Sequence, residues 1–357
     1  MKKETDQLNL ELTDTVNRYS GADPNVIRSI LQHYRTTGFP YQRLTLGEIV
    51  DGYYELMRLK TEEMVNKKET WSIRSDSTSV AVANYYHPHR YGVVCNNHRT
   101  ALYVFGRDHL LLKAIKKCAK MQGGISDTRL RSMLSIFEGV QVASNFPPGT
   151  AKAIYERFLY HPGVVWDMSC GFGGRLLAAM STDSVSQYFG TEPSSLTFAG
   201  LEKMNQDIHR LIDFPPPCDV TLAMQGSETL LPPNFKSVDL CFTSPPYFDT
   251  EKYCREETQS YLRYYNRTDW IKNFIGGTVE NCKSILKPDG KILINIANVN
   301  SFQNLEQATV KECKDRGLEL LQYFAINFST MPGKGKRNRN DLNAGCRTEP
   351  LFVFRVK

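Results

Sequence analysis

The chain has 357 residues, 41% of them hydrophobic and 23% charged, with a formal net charge of +6. This is ordinary globular composition, enough to bury a sizeable core, and it excludes a low-complexity or collagen-like polypeptide. No apolar run approaches the roughly 18 residues of a membrane span, and the mild positive charge permits a polyanionic partner without demanding one.

The nine cysteines are scattered without a CxxC pair. They argue for buried thiols in a reducing compartment rather than a disulfide framework or zinc site, so no metal is expected. The opening MKKETDQLNLELTD is polar and lacks a signal-peptide apolar core. A soluble, cytoplasmic protein with no membrane contact is the expectation.

Residues 1 to 22 are polar; after them Asp23 and Pro24 supply an N-cap and a first helical position for a helix carrying Val26, Ile27, Ile30 and Leu31 on one face. A second helical pattern runs from Leu46 to Met64 through Ile49, Tyr53, Leu56 and Leu59. From Trp71 to Arg99 the period is lost, and Tyr85-Tyr86-His87-Pro88-His89-Arg90-Tyr91 interleaves aromatic, His and Arg residues. Such a stretch could stack bases or, through His87 and His89, bind a metal. An irregular loop packed by its own aromatics is preferred, because no Cys or carboxylate partner stands at zinc-like spacing.

Between Asp108 and Gln122 a helix places Leu111, Ile115 and Cys118 on one face and Lys113, Lys116, Lys117 and Lys120 on another. The lysines read as a solvated face ahead of phosphate contacts. Gly123-Gly124 ends this helix, and Ser126 caps the next, Asp127 to Phe137. A mainly helical N-terminal domain over residues 1–143 is therefore expected, followed by a second domain over 144–357.

The second domain alternates strand, loop and helix. Val164 to Asp167 is a short buried strand that feeds the glycine loop Cys170-Gly171-Phe172-Gly173-Gly174 and the helix Leu176 to Met180. A strand opening through glycines into a helix is an architecture in which backbone approaches a nucleotide-like ligand. The strand Gln187 to Thr191 ends on Glu192, whose carboxylate can accept from both hydroxyls of a ribose. Val220 to Met224 is followed by Gly226-Ser227-Glu228, placed to approach an adenine. Asp167 reads as a hydrogen-bond acceptor rather than as catalytic machinery.

The fourth strand, Val238 to Phe242, runs into Thr243-Ser244-Pro245-Pro246-Tyr247. The two prolines end the strand and hold its carbonyls out of any ladder. An exocyclic amino group offers two hydrogens; the Ser244 oxygen and the Pro245 carbonyl could take them, with Tyr247 stacked on the ring. Tyr261, Tyr264, Tyr265 and Trp270 follow at helical spacings and read mostly as core. Lys291 to Ile296 is a fifth strand, and Leu318 to Phe328 with Leu351 to Val356 form an antiparallel closing pair. Between these two lies a glycine-rich basic segment with Lys334, Lys336, Arg337, Arg339 and Arg347, which its composition reads as a solvated connection slightly ahead of a polyanion contact.

Taken together, residues 144 to 357 resemble the S-adenosylmethionine-dependent amino-methyltransferases that act on DNA. Asp167, Gly171 and Gly173 look like the cofactor glycine motif, Glu192 like the ribose acid, and Ser244-Pro245-Pro246-Tyr247 like the catalytic motif. Asn145-Phe146-Pro147-Pro148-Gly149-Thr150 stands where the family often contacts the methionine end of the cofactor. The glycine loop lacks the family's common Phe-x-Gly-x-Gly form, and Phe248 to Tyr253 are not general to it, which marks a distinct subgroup.

The resemblance implies an α/β fold with a seven-stranded Rossmann-like sheet, S-adenosyl-L-methionine as cofactor, and a DNA duplex with a flipped base as substrate. Catalysis is expected from Ser244, Pro245, Pro246 and Tyr247. The cofactor is expected on Asn145, Phe146, Asp167, Gly171, Gly173, Glu192, Ser227 and Glu228. Ser at the first motif position is a family correlate of cytosine N4 over adenine N6. An RNA amino-methyltransferase, and a nucleic-acid-binding subunit that keeps the fold without activity, are the alternatives.

Overall fold

The computed structural model describes residues 23–67, 71–121, 124–213, 216–230, 237–328 and 347–357. The chain forms two compact units, one from Met1–Arg43 with Pro88–Ser144, the other from Leu44–His87 with Asn145–Lys357.

In the first unit the helix Pro24–Thr37 begins as its sequence dictates: the Asp23 side chain accepts from the Asn25 N–H at 2.8 Å, and Pro24 occupies a position where no N–H is needed. Its Ile27, Ile30 and Tyr34 share a core with Leu111, Ile115 and Cys118 of the helix Asp108–Ala119 and with Leu130 and Leu134 of the helix Asp127–Ile136. Lys113, Lys116, Lys117 and Lys120 are exposed. Lys117 lies 4.6 Å from the centroid of the Phe137 ring, its stem covering apolar surface while its charge stays wet.

The second unit's principal helices are α1 (Leu46–Arg58), α2 (Val80–Tyr85), α3 (Pro148–Phe158), α4 (Gly174–Met180), α5 (Ser195–Leu211), α6 (Gly276–Ile285) and α7 (Leu305–Asp315). Its strands are β1 (Val65–Lys67), β2 (Trp71–Arg74), β3 (Gly163–Asp167), β4 (Val185–Thr191), β5 (Asp219–Ala223), β6 (Val238–Thr243), β7 (Leu286–Asn295), β8 (Leu318–Phe328) and β9 (Arg347–Val356). They form one nine-stranded sheet in the order β1-β2-β8-β9-β7-β6-β3-β4-β5. From β3 to β7 neighbouring strands run parallel, while β9 is antiparallel to both β7 and β8.

Seven strands were expected, and among the described residues the sheet has nine. The two additions, β1 and β2, span 3 and 4 residues, too short for alternation to show in sequence. They extend the sheet beyond β8, with β2 parallel to it. Residues 44–87 therefore join the second unit, whereas the sequence reading placed them on the N-terminal side of a 143/144 boundary.

Lys152 of α3 explains that allegiance. It is 3% exposed, and its ammonium donates to the carbonyls of Leu56, Met57 and Leu59 at 2.9, 2.6 and 3.0 Å. A cation thus satisfies the orphan acceptors at the end of α1, where the helix dipole favours it. Ile49, Tyr53 and Leu56 then bury in the same cluster as Ile154, Leu177, Met180 and Leu201. A second cluster, with Trp270, Phe274, Val279, Cys282, Leu305 and Cys313, also holds Cys241 and Phe354 of the sheet. No helix among the described residues is long and apolar enough to cross a membrane.

Candidate active site

The glycine loop, Glu192, Glu228 and the Ser244 edge lie at the carboxyl ends of β3, β4, β5 and β6, where open parallel sheets place their ligands. The glycine loop turns through Gly171 at φ +55° and Gly173 at φ +76°, left-handed conformations that a side chain would strain. A Cβ on Gly174 would collide with the carbonyl oxygen of Phe146. Asn145 completes the turn: its Nδ2 donates to the Phe172 carbonyl at 2.8 Å and its Oδ1 accepts the Gly174 N–H at 3.1 Å. Phe146 packs edge-on to Phe242, 5.4 Å between centroids. Asn145 and Phe146 thus brace the loop from behind.

Asp167 is fully buried and its acceptors are occupied. Arg175 Nε donates to it at 2.8 Å and Nη2 at 3.0 Å, the Tyr188 hydroxyl at 2.7 Å and the Ser169 N–H at 3.2 Å. Burial works against the Arg175 charge, yet the adjacent carboxylate holds that guanidinium above its ordinary value. The expected ligand acceptor is therefore committed to the protein, and its work is to fix the loop. His87, considered above as a metal ligand, is buried with its ring 5.5 Å from that of Phe172 and fills the space beside Gly200.

Glu192 differs. Among the described residues it accepts hydrogen bonds only from backbone donors, Gly171 N–H at 3.0 Å and Ser194 N–H at 2.9 Å. Burial pushes its carboxyl up to about 7, although those two N–H groups pull the other way. Its neighbours Gly171, Ser169, Thr197, Ser227 and Glu228 line a cavity of about 640 Å³, the solvent-open mouth included. Ser244 and Pro246 line the same cavity. Pro245 lines a smaller adjoining one of about 280 Å³, together with Met168, Ser169 and Ser227. Of the expected residues, Gly171, Glu192, Ser227, Glu228, Ser244 and Pro246 converge on one space, and Asn145, Phe146, Asp167, Gly173 and Tyr247 stand behind it.

The catalytic motif is held by two residues that the sequence reading missed. The Ser244 hydroxyl donates to Asn295 Oδ1 at 3.1 Å, and the Tyr247 hydroxyl donates to Glu349 Oε2 at 2.8 Å while lying 3.3 Å from Asn295 Oδ1. Asn295 Nδ2 donates to the Pro350 carbonyl at 3.0 Å, which turns its oxygen toward the motif. Tyr247 is 8% exposed in the second core cluster, and burial followed by Glu349 drives its hydroxyl well above the usual phenol value. Tyr247, expected to stack on the base, has its ring packed in this cluster and its hydroxyl engaged. Asn295 and Glu349 each interrupt an apolar strand, a signal that was present in the sequence.

A segment after the motif lies across the cofactor side. The Thr258 hydroxyl donates to the Pro193 carbonyl at 3.1 Å, the Glu256 carboxylate accepts the Ser195 N–H at 3.1 Å, and Arg263 pairs with Glu228 at 2.9 Å. Tyr253, Gln259, Ser260 and Tyr261 of this segment line the cavity. Lys334, Lys336, Arg337 and Arg339 lie outside the described residues, and of Arg347 only the backbone is described.

Strand order, glycine loop and acid-tipped strands define the Rossmann-like methyltransferase architecture. Residues 238–357, which carry Ser244–Tyr247, Asn295 and Glu349, match the N6_N4_Mtase family, described as DNA methylase. The protein is thus a methyltransferase, with S-adenosylmethionine as its cofactor.

No curated protein matches the sequence. Solved structures that it resembles include a methyltransferase from Pyrococcus furiosus (12% identity, 63% of this chain and 93% of that one, TM-score 0.39). Others are a TehB-like SAM-dependent methyltransferase from Corynebacterium glutamicum (12%, 58% and 87%, 0.35) and precorrin-6y C5,15-methyltransferase from Geobacter metallireducens (13%, 58% and 87%, 0.35).

The residues present fit the cofactor. The positive-φ glycines leave room for close backbone approach, Glu192 offers a carboxylate to a diol, and Glu228 Oε2 is a buried acceptor with no partner among the described residues.

Proposed function

We propose that this protein methylates an exocyclic amino group of a base in DNA, cytosine N4 in preference to adenine N6. The observation that carries the reading is that Ser244 and Pro246 line the same cavity as Gly171, Glu192 and Glu228. Bound there, S-adenosylmethionine would supply an electrophilic sulfonium methyl. Everything else falls to the chain: Glu192 holds the ribose, the glycine loop admits the methionine end, and the motif presents acceptors to the amine.

An amino group conjugated with its ring is a poor nucleophile until its lone pair is localised and aimed. Because the Ser244 proton is committed to Asn295, the lone pairs of Oγ remain to accept an amino hydrogen. The Pro245 carbonyl takes the second. No thiol nucleophile is required, in keeping with the burial of Cys241. The target nitrogen lies within the duplex, so the base is flipped out at a cost of a few kcal/mol. Lys334, Lys336, Arg337 and Arg339 serve the phosphate backbone, and their joint neutralisation flattens the salt dependence of DNA affinity.

Incubation with labelled cofactor and duplex DNA or RNA, followed by nucleoside mass spectrometry, tests the proposal. N4-methylcytosine in DNA is expected. N6-methyladenine alone would overturn the base, labelling of RNA alone would overturn the substrate, and full turnover in Ser244→Ala would remove the mechanism.

A further inference from the structure

Two polar side chains on the cavity wall are buried with an atom unmet, and they are of opposite kind. The Glu228 side chain is 2% exposed; Oε1 takes Arg263 and Oε2 has no partner among the described residues. Gln259 is 5% exposed, and its Nε2 has none either. One is an acceptor and the other a donor, and both line the same cavity.

Their positions are tied together. The Gln259 carbonyl accepts the Arg263 N–H at 3.0 Å, and the Arg263 guanidinium closes on Glu228 at 2.9 Å. On the other side the Gln259 N–H donates to the Glu256 carbonyl at 3.0 Å, and the Glu256 carboxylate binds Ser195, just beyond Glu192. Gln259 is therefore fixed between the tip of β4 and the turn after β5. A buried donor and a buried acceptor left unmade cost about 1–3 kcal/mol each, so a site that keeps both is built for a ligand that meets both.

The required ligand edge carries a donor beside an acceptor. A 6-aminopurine presents that pair, its amino hydrogens next to a ring nitrogen. A 6-oxopurine replaces the amino donor by an acceptor. We propose that Gln259, acting with Glu228, reads the amino edge of the cofactor's adenine, Glu228 accepting from the amino group and Gln259 donating to the adjacent ring nitrogen. Gln259 is then a cofactor-specificity residue supplied by the segment after the catalytic motif. The inference rests on the cavity being the cofactor site.

Calorimetric titration of the full chain with S-adenosylhomocysteine and with its 6-oxo counterpart, S-inosylhomocysteine, tests it. The wild-type protein should bind the inosyl compound at least tenfold more weakly, on the scale of a mispaired buried donor and acceptor. Gln259→Leu should lose about tenfold toward the adenosyl compound and little toward the inosyl one. Gln259→Glu keeps the shape and reverses the donor, so it should erase or invert the preference while its thermal melt stays cooperative. Undiminished discrimination in both variants overturns the proposal. Equal binding of the two compounds by the wild-type protein overturns it while leaving the cavity a cofactor site, and binding of neither removes the cofactor reading as well.

Discussion

Asp167 and Glu192 close neighbouring parallel strands, β3 and β4, both are buried, and they do opposite work. Asp167 is saturated by a guanidinium, a phenol and a backbone N–H, so no lone pair is left for a ligand. Among the described residues Glu192 meets only two backbone N–H groups in hydrogen bonds, and it lines the cavity. Burial alone therefore does not mark a ligand carboxylate. What separates the two is whether a cation has already claimed the charge, since a buried charge without a partner is expensive and one with a partner is structural.

The sharpest way to break this contrast is Asp167→Asn. It leaves Arg175, 3% exposed, without its counter-charge, and should cost about 3 to 5 kcal/mol of unfolding free energy in a denaturant titration. A loss of cofactor affinity at full stability would instead return Asp167 to the ligand. Next in size is Glu192→Ala, which should weaken S-adenosylhomocysteine binding by about 1.5 to 3 kcal/mol. Calorimetry showing unchanged affinity in a folded Glu192→Ala protein would remove Glu192 from the ribose.

The contrast also shows how far sequence reasoning reaches. The strand, the glycines that follow it and the acid at its tip are adjacent in the chain, so the β3 loop, Glu192 and the Ser-Pro-Pro-Tyr edge were legible from local pattern. The role of Asp167 was not, because nothing in its own neighbourhood says that Arg175 will fold back from α4 to neutralise it. Distance hid the rest. Tyr247 meets Glu349 across 102 positions, and Lys152 recruits the end of α1 from 96 and 93 positions away. The strands β1 and β2 were too short to leave a periodic trace. Gln259 sits in a segment whose polar composition reads as a loop until its partners are placed.

Protonation sharpens the comparison at a smaller scale. The Glu192 carboxyl is pushed up to about 7 by burial, so near neutrality the empty site holds it partly protonated. Ribose hydroxyls donate to the charged form, and binding below pH 7 must expel a proton. Affinity for S-adenosylhomocysteine should therefore rise about tenfold from pH 6 to pH 8 and level off above, following proton linkage. The sign for folding is the reverse. A carboxyl raised in the native state contributes stability that is present below its ordinary value and lost as pH rises through 7, so the empty protein should be more stable at pH 5.5 than at pH 7.5 by this group. Glu192→Gln should flatten the binding profile; a slope that survives in Glu192→Gln assigns it to another group.

Glu349 is a third buried carboxylate, and it tests whether the rule extends to the catalytic side. It accepts the Tyr247 hydroxyl at 2.8 Å and thereby braces the motif. Tyr247→Phe keeps the ring in the core and removes only that donor. The expected loss is about 1 kcal/mol of stability, the net worth of one hydrogen bond, with turnover falling a few-fold and cofactor affinity unchanged. Larger damage from Asn295→Ala would be consistent, because Asn295 also holds the Ser244 proton and the Pro350 carbonyl. Abolished turnover in a Tyr247→Phe protein of unaltered stability would mean that the hydroxyl acts on the amine itself, and Glu349 would then belong with Glu192 among carboxylates that serve the reaction rather than with Asp167 among those that hold the fold.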